Sequence, residues 1–136
     1  MSNLFRAIDN AVSGATVARV FMDATADNVA NVNTIYAADE EPFRARLVVA
    51  EAVRGTDGTR QGAKVTGIAL SELEPLLVYD PGNPFADETG MVKRPAVDLS
   101  VEMTNMIIAN RSYQANLAVV DRVRSSYEAA LRIGQR

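Results

Sequence analysis

The chain contains no cysteine and no histidine. The first absence removes disulfides, thiolate metal centres and cysteine nucleophiles; the second removes the commonest general base and metal ligand. Most familiar enzyme constellations are therefore closed to it, and no catalytic, cofactor or metal site is expected. Charge of one sign is missing too. A net charge of −3 leaves no basic excess to suggest nucleic acid and no polyacidic tail. Long hydrophobic runs are also lacking: no uncharged apolar stretch approaches the length that crosses a bilayer, so the chain is not expected to be membrane-embedded. Arg6, Asp9 and Arg19 interrupt what would be the apolar core of a cleavable secretory signal. By these rules alone the chain would be placed in the cytoplasm. At 136 residues it is long enough for one domain with its own core.

What is present is helical rhythm at both ends. From Leu99, steps of four and three reach Met103, Met106, Asn110, Tyr113, Leu117, Val120, Arg124, Tyr127 and Leu131, with no proline or glycine in between. That spacing predicts a long helix with a coiled-coil seam over 98–136. Asp98 suits the N-cap and Glu102 the positive end of the helix dipole, while Arg132 suits the negative end and Gly134 comes next as a stop. Such a helix runs roughly 50 Å at 1.5 Å per residue and wants a long partner.

The partner is at the other end of the chain. Leu4, Ile8, Ala11, Ala15, Ala18, Met22, Thr25 and Val29 keep the same rhythm, so residues 1–34 read as a second amphipathic helix that fades around Asn31. Its seam is mostly alanine, which allows close approach but buries little per residue. Phe5, Val12, Val17, Val20 and Phe21 lie off that seam, so one partner would not cover every apolar side.

Between the helices, residues 35–79 read as a connector and a small β-rich insert. Tyr36 to Pro42 is a short acidic connector, and Phe43 to Val53 alternates in part, as a half-buried strand does. Arg54 to Gly62 carries three glycines and reads as a hairpin loop, followed by a strand over Lys64 to Ser71 and a short one over Leu76 to Tyr79. Residues 80–97, punctuated by proline and glycine, are expected to be an ordered linker without a strand of their own, packed along something else. Gly82 and Gly90 are expected to supply turn conformations closed to other residues. The resulting fold class is α+β: an antiparallel coiled-coil stalk of two long helices with the insert at one end like a head.

Four strings, in order along nearly the whole chain, resemble one known family. Asn28-Val29-Ala30-Asn31 followed by Thr34 is similar to the Asn-x-Ala-Asn-x-x-Thr signature that closes the N-terminal helix of the bacterial flagellar axial proteins. Pro42-Phe43-Arg44 is similar to the Pro-Tyr-Arg that leads into their β insert. The linker Tyr79-Asp80-Pro81-Gly82-Asn83-Pro84, continuing through Gly90 to Pro95, resembles that of the proximal-rod subunits within the family, and departs from it at Asn83, Met91 and Ala96. Met103, Met106 and Asn110-Arg111-Ser112-Tyr113-Gln114-Ala115-Asn116 resemble the family's C-terminal helix. The resemblance implies a structural subunit of the flagellar basal-body rod, the axle that carries motor torque across the periplasm. It implies as partners other rod proteins, copies of the chain itself and the flagellar type III export apparatus, with secretion that needs no cleaved signal. No small-molecule substrate is implied.

The residues expected to pack helices or subunits together are Leu4, Ile8, Ala11, Ala15, Met22, Asn28, Val29 and Asn31 in the first helix. In the last helix they are Met103, Met106, Asn110, Tyr113, Asn116, Leu117, Val120, Tyr127 and Leu131. Asn110 is expected to fix register as a polar seam residue, Arg124 to lay its stem along the seam with its head outside, and Met103 and Met106 to be adaptable core. Asn28, Asn31 and Asn33 either terminate the helix or contact neighbouring subunits. The helix pair alone buries little, so both termini are expected to be mobile in the monomer and to gain order on assembly. Two readings from other classes compete. A soluble coiled-coil adaptor would form discrete low-order complexes. A carboxylate-dependent cell-wall hydrolase would need a concave site and a defined acid pair, and the acidic run Asp39-Glu40-Glu41 offers neither, reading instead as a solvated connector.

Overall fold

A computed structural model describes residues 2–56 and 58–134. Helix α1 spans Ser2–Asn31, strands β1 Arg46–Arg54, β2 Arg60–Leu70, β3 Leu76–Tyr79 and β4 Met91–Arg94 come next, and helix α2 spans Leu99–Gly134. The class is α+β. Both long helices form where the periodicity placed them. Asp98 caps α2, its Oδ1 accepting from the backbone N–H groups of Ser100 (2.8 Å) and Val101 (3.2 Å). Gly134 belongs to the last described turn of α2, so its expected role as a stop falls at the limit of the described residues.

The helices pack side by side in opposite directions. Phe5 meets Tyr127, with ring centroids 6.3 Å apart, and Gly14 meets Asn116. On α1 the contact strip follows the expected seam: Ala11, Ala15, Ala18 and Thr25 are buried. α2 is different. Its half-buried and buried positions run Glu102, Asn105, Met106, Ala109, Tyr113, Asn116, Val120 and Val123. Every second seam residue is therefore one position earlier than expected: Ala109 replaces Asn110, Asn116 replaces Leu117 and Val123 replaces Arg124. Met103 is 54% exposed and so is not core, and Asn110 faces outward. The physical reason is that α2 carries apolar residues on more than one side, so the strongest 4-3 rhythm in the sequence did not have to be the one that meets α1.

The insert is two separate antiparallel hairpins, β1–β2 and β3–β4. The first begins beside the C-terminal end of α1 and runs back along it. Arg46 is held by Asn28, and Ala63 donates its backbone N–H to Ser13 Oγ (3.1 Å), fifteen residues earlier on the helix. The hairpin is therefore a rib laid along α1, not a head on the end of a stalk. Its loop is shorter than expected, 55–59, because both strands extend toward the tip. Nor is β1 a half-buried strand: Leu47 and Val49 are 50% and 44% exposed.

The second hairpin corrects the reading of 80–97. Met91 to Arg94 is a strand paired with β3 in the register Leu76↔Arg94 to Tyr79↔Met91. A further bridge joins Tyr36 to Lys93, with reciprocal backbone bonds of 3.0 and 3.1 Å. Val92, at 1% exposure, and Pro95 are large side chains fully buried outside the helices. The acidic connector thus lies against β4, and Asp39, Glu40 and Glu41 remain solvated as expected.

Candidate assembly surfaces

The fixed points that hold the insert on the helices are polar. Asn28 is 1% exposed. Its Nδ2 donates to the Arg46 carbonyl (3.1 Å) and its Oδ1 accepts from the Arg46 N–H (2.8 Å). Arg46 faces Leu70 of β2 on one side, and on the open edge of β1 the side-chain amide imitates a further strand; no buried side-chain polar atom is left without a partner among the described residues. Arg46 also pairs with Asp27 across a half-exposed gap. Further along, Gly62 sits in a left-handed conformation (φ +90°) where two residues of β2 oppose one of β1, and a Cβ there would lie 2.1 Å from Ser13 Oγ. Only glycine lets the hairpin come this close. Asn31 Nδ2 donates to the Asp27 carbonyl (2.8 Å), and the Arg94 guanidinium reaches the Val32 carbonyl and Asn33 Oδ1. All three asparagines are thus engaged within the chain.

The loop 80–90 is tightly built. Asp87 Oδ1 accepts from Thr89 N (2.8 Å), Thr89 Oγ1 (2.7 Å) and Met91 N (2.9 Å). The Met91 N–H first, and the Thr89 hydroxyl next, favour the ionised carboxylate and lower its pKa from 3.8. Asp80 accepts from Asn83 Nδ2 (3.1 Å), and the Asp80 N–H closes the loop on the Gly90 carbonyl (2.9 Å). Gly90 has φ +79° and a Cβ on it would lie 2.9 Å from the Tyr79 ring and 3.0 Å from Pro81 Cβ, so its glycine is required. Gly82 is not: it lacks positive φ, and the nearest atom to its Cβ position is 4.0 Å away. Pro84 and Phe85 stand on the exposed side of this loop.

The remaining surface is apolar where the two helices have not used it. At roughly 100° per residue, Leu99, Met103, Ile107 and Leu117 lie on one flank of the strip that meets α1, and Val101, Ile108 and Val119 on the other; each is between 38% and 56% exposed. Leu117 borders a shallow depression with Val12, Ala15, Thr16, Arg19 and Tyr113. Of the expected packing residues, Leu4, Ile8, Met22 and Val29 on α1, and Met106, Tyr113, Asn116 and Val120 on α2, are half-buried. Met103, Asn110, Leu117, Tyr127 and Leu131 are exposed. Arg124 points outward, where its Nε meets Glu128 Oε1 at 3.0 Å.

A separate groove of about 410 Å3 is lined by Asp39, Glu40, Glu41, Glu72 and Glu74 with Arg44 and Lys93. Its five carboxylates are all exposed. Among the described residues no helix is long and apolar enough to cross a membrane.

Comparison with known proteins bears on these surfaces. The family model for the C-terminal region of the flagellar basal-body rod FlgEFG proteins matches residues 88–133, from the loop before β4 almost to the end of α2. The flagellar basal-body rod protein FlgC of Escherichia coli O157:H7 is 38% identical over 132 residues, covering 97% of this chain and 98% of that protein. Its counterpart in Salmonella typhimurium is 40% identical over 114 residues, 84% of this chain and 85% of the relative. The FlgC of Bacillus subtilis is 29% identical over 147 residues, with 96% and 98% covered. Sequence likeness at this level over nearly the full length shows the family: the chain belongs to the FlgC family of flagellar basal-body rod proteins.

Proposed function

We propose that this structural subunit of the flagellar basal-body rod assembles by burying the two apolar flanks of α2, with the exposed side of α1, against other rod subunits and further copies of itself. The exposed flanks of α2 carry the reading. A monomer of this size folded compactly exposes about 6,900 Å², and this chain exposes 9535 Å². Elongation accounts for part of the difference, but a surplus on the order of 2,600 Å² is also what about three contacts of ordinary size, near 800 Å² each, would remove. Residues 1–34 and 98–136 act as the axial segments, paired as a coiled-coil stalk. Residues 35–79 and 80–97 are the insert and linker, clamped to α1 by Asn28 and fastened to the turn after α1 by Arg94.

The mechanism is mechanical. Stiff helices packed among neighbours form the tube that transmits torque, and the chain performs no catalysis. Export proceeds through the flagellar type III apparatus. Leu117→Asp tests the assembly role, since Leu117 is 42% exposed and tolerates a charge in the free subunit. The variant should be exported, keep its insert folded and leave cells non-motile. Swimming cells carrying it would contradict the packing.

A further inference from the structure

We infer that Asn116, seated against Gly14, sets the axial register of α2 on α1. The argument begins with what the rest of the contact strip lacks. Ala11, Ala15 and Ala18 are buried at the interface, and alanines repeated at helical spacing offer nearly the same surface after a slide of one turn. Such a strip lets the helices approach closely but holds their relative height weakly.

Gly14 breaks the repeat. Glycine is the poorest helix former after proline, yet it stands in mid-helix, where a Cβ would lie 2.8 Å from Asn116 Oδ1 and 3.0 Å from both Cγ and Nδ2. The Asn116 amide is itself oriented, because Nδ2 donates to the Ser112 carbonyl at 2.9 Å. A one-turn slide in either direction drives this amide toward an alanine Cβ and brings the ring of Tyr113 or the branched side chain of Val120 over the notch. Asn116 therefore does the work that the sequence pattern assigned to Asn110, which faces outward. The register decides which exposed residues of α2 stand level with Phe5 and Val12 on α1. It is a property of the single chain and does not depend on which rod contacts form.

The chain has no cysteine, so introduced pairs report register without interference. In the full-length protein Phe5→Cys is combined in turn with Val123→Cys, Tyr127→Cys and Leu131→Cys, and intramolecular products of a short thiol-to-thiol crosslinker are quantified by mass spectrometry. With Gly14 and Asn116 intact, the Tyr127→Cys pair should exceed the other two by about tenfold, within the range of coupling between touching residues. Asn116→Ala, which favours helix, should bring the three yields to within about twofold of one another. Exchanging the two, Gly14→Asn with Asn116→Gly, should restore the preference. If Asn116→Ala loses helical circular dichroism, Gly14→Ala disturbs the notch from the other side and is read the same way. An unchanged preference in Asn116→Ala or, failing that, in Gly14→Ala would overturn the inference, as would the absence of any preference in the protein with both residues intact.

Discussion

Asp87 shows how one exposed carboxylate can organise a loop. It gathers three donors on a single oxygen, and its pKa is lowered from 3.8, chiefly by the Met91 N–H. The sign comes from linkage: a group with a depressed folded-state pKa contributes stability that is complete above its unfolded value and is lost as pH falls through the folded one. Hydrogen exchange at the Met91 amide should therefore quicken in acid only below 3.8, and Asp87→Asn should remove that acid step. An identical acid step in the variant would show that the carboxylate does not hold the loop. At this scale the sequence was unevenly legible. Gly90 was readable as a required turn residue; Gly82 carried the same signal, and its backbone does not need it. Asn28 sat in a recognisable string, but its part in holding β1 depends on a strand eighteen residues away, which no local pattern reveals.

Among the elements, the helices were legible because their apolar spacing runs for many turns, and a pattern that long leaves little room for another structure. Which side of α2 meets α1 was not. Apolar residues flank the contact strip on both sides, and periodicity alone cannot rank three greasy faces. β4 was missed because Met91-Val92-Lys93-Arg94 is short and stands among prolines and glycines; its strand character comes from pairing with β3 and from the bridge to Tyr36. The docking of β1–β2 on α1 hinges on Gly62. The sequence reading placed Gly62 in the hairpin loop; only the extension of β2 back to Arg60 makes it a glycine inside a strand, which marks a bulge or a close backbone approach. Gly62→Ala should cost about 1 to 3 kcal/mol from the left-handed backbone alone, with the clash on Ser13 added. Urea unfolding should register the loss, and hydrogen exchange should quicken along β1 and β2 while exchange along α2 is unchanged. Unaltered stability would mean that the rib is held elsewhere.

For the molecule as a whole, family and class were readable because four strings fell in the right order, whereas the disposition of the insert was not, since nothing in the sequence says whether a hairpin leaves a stalk or lies back along it. The surface not yet buried leads to a prediction about order. Amide exchange over 4–30 and 100–130 should be faster in dilute free protein than in assembled rods, because neighbours supply cover that the thin alanine strip, though Asn116 sets its register, does not. Slow exchange throughout both segments in the dilute protein would show that the pair is self-sufficient.

Among the described residues α2 touches no regular element except α1, and the β1–β2 rib likewise reaches the helices only through α1. The N-terminal helix is therefore a link in series. Apart from the backbone path through residues 71–98, any pull applied to the rib crosses it before it is felt by α2, and if it melts, both lose their packing anchorage in the same event.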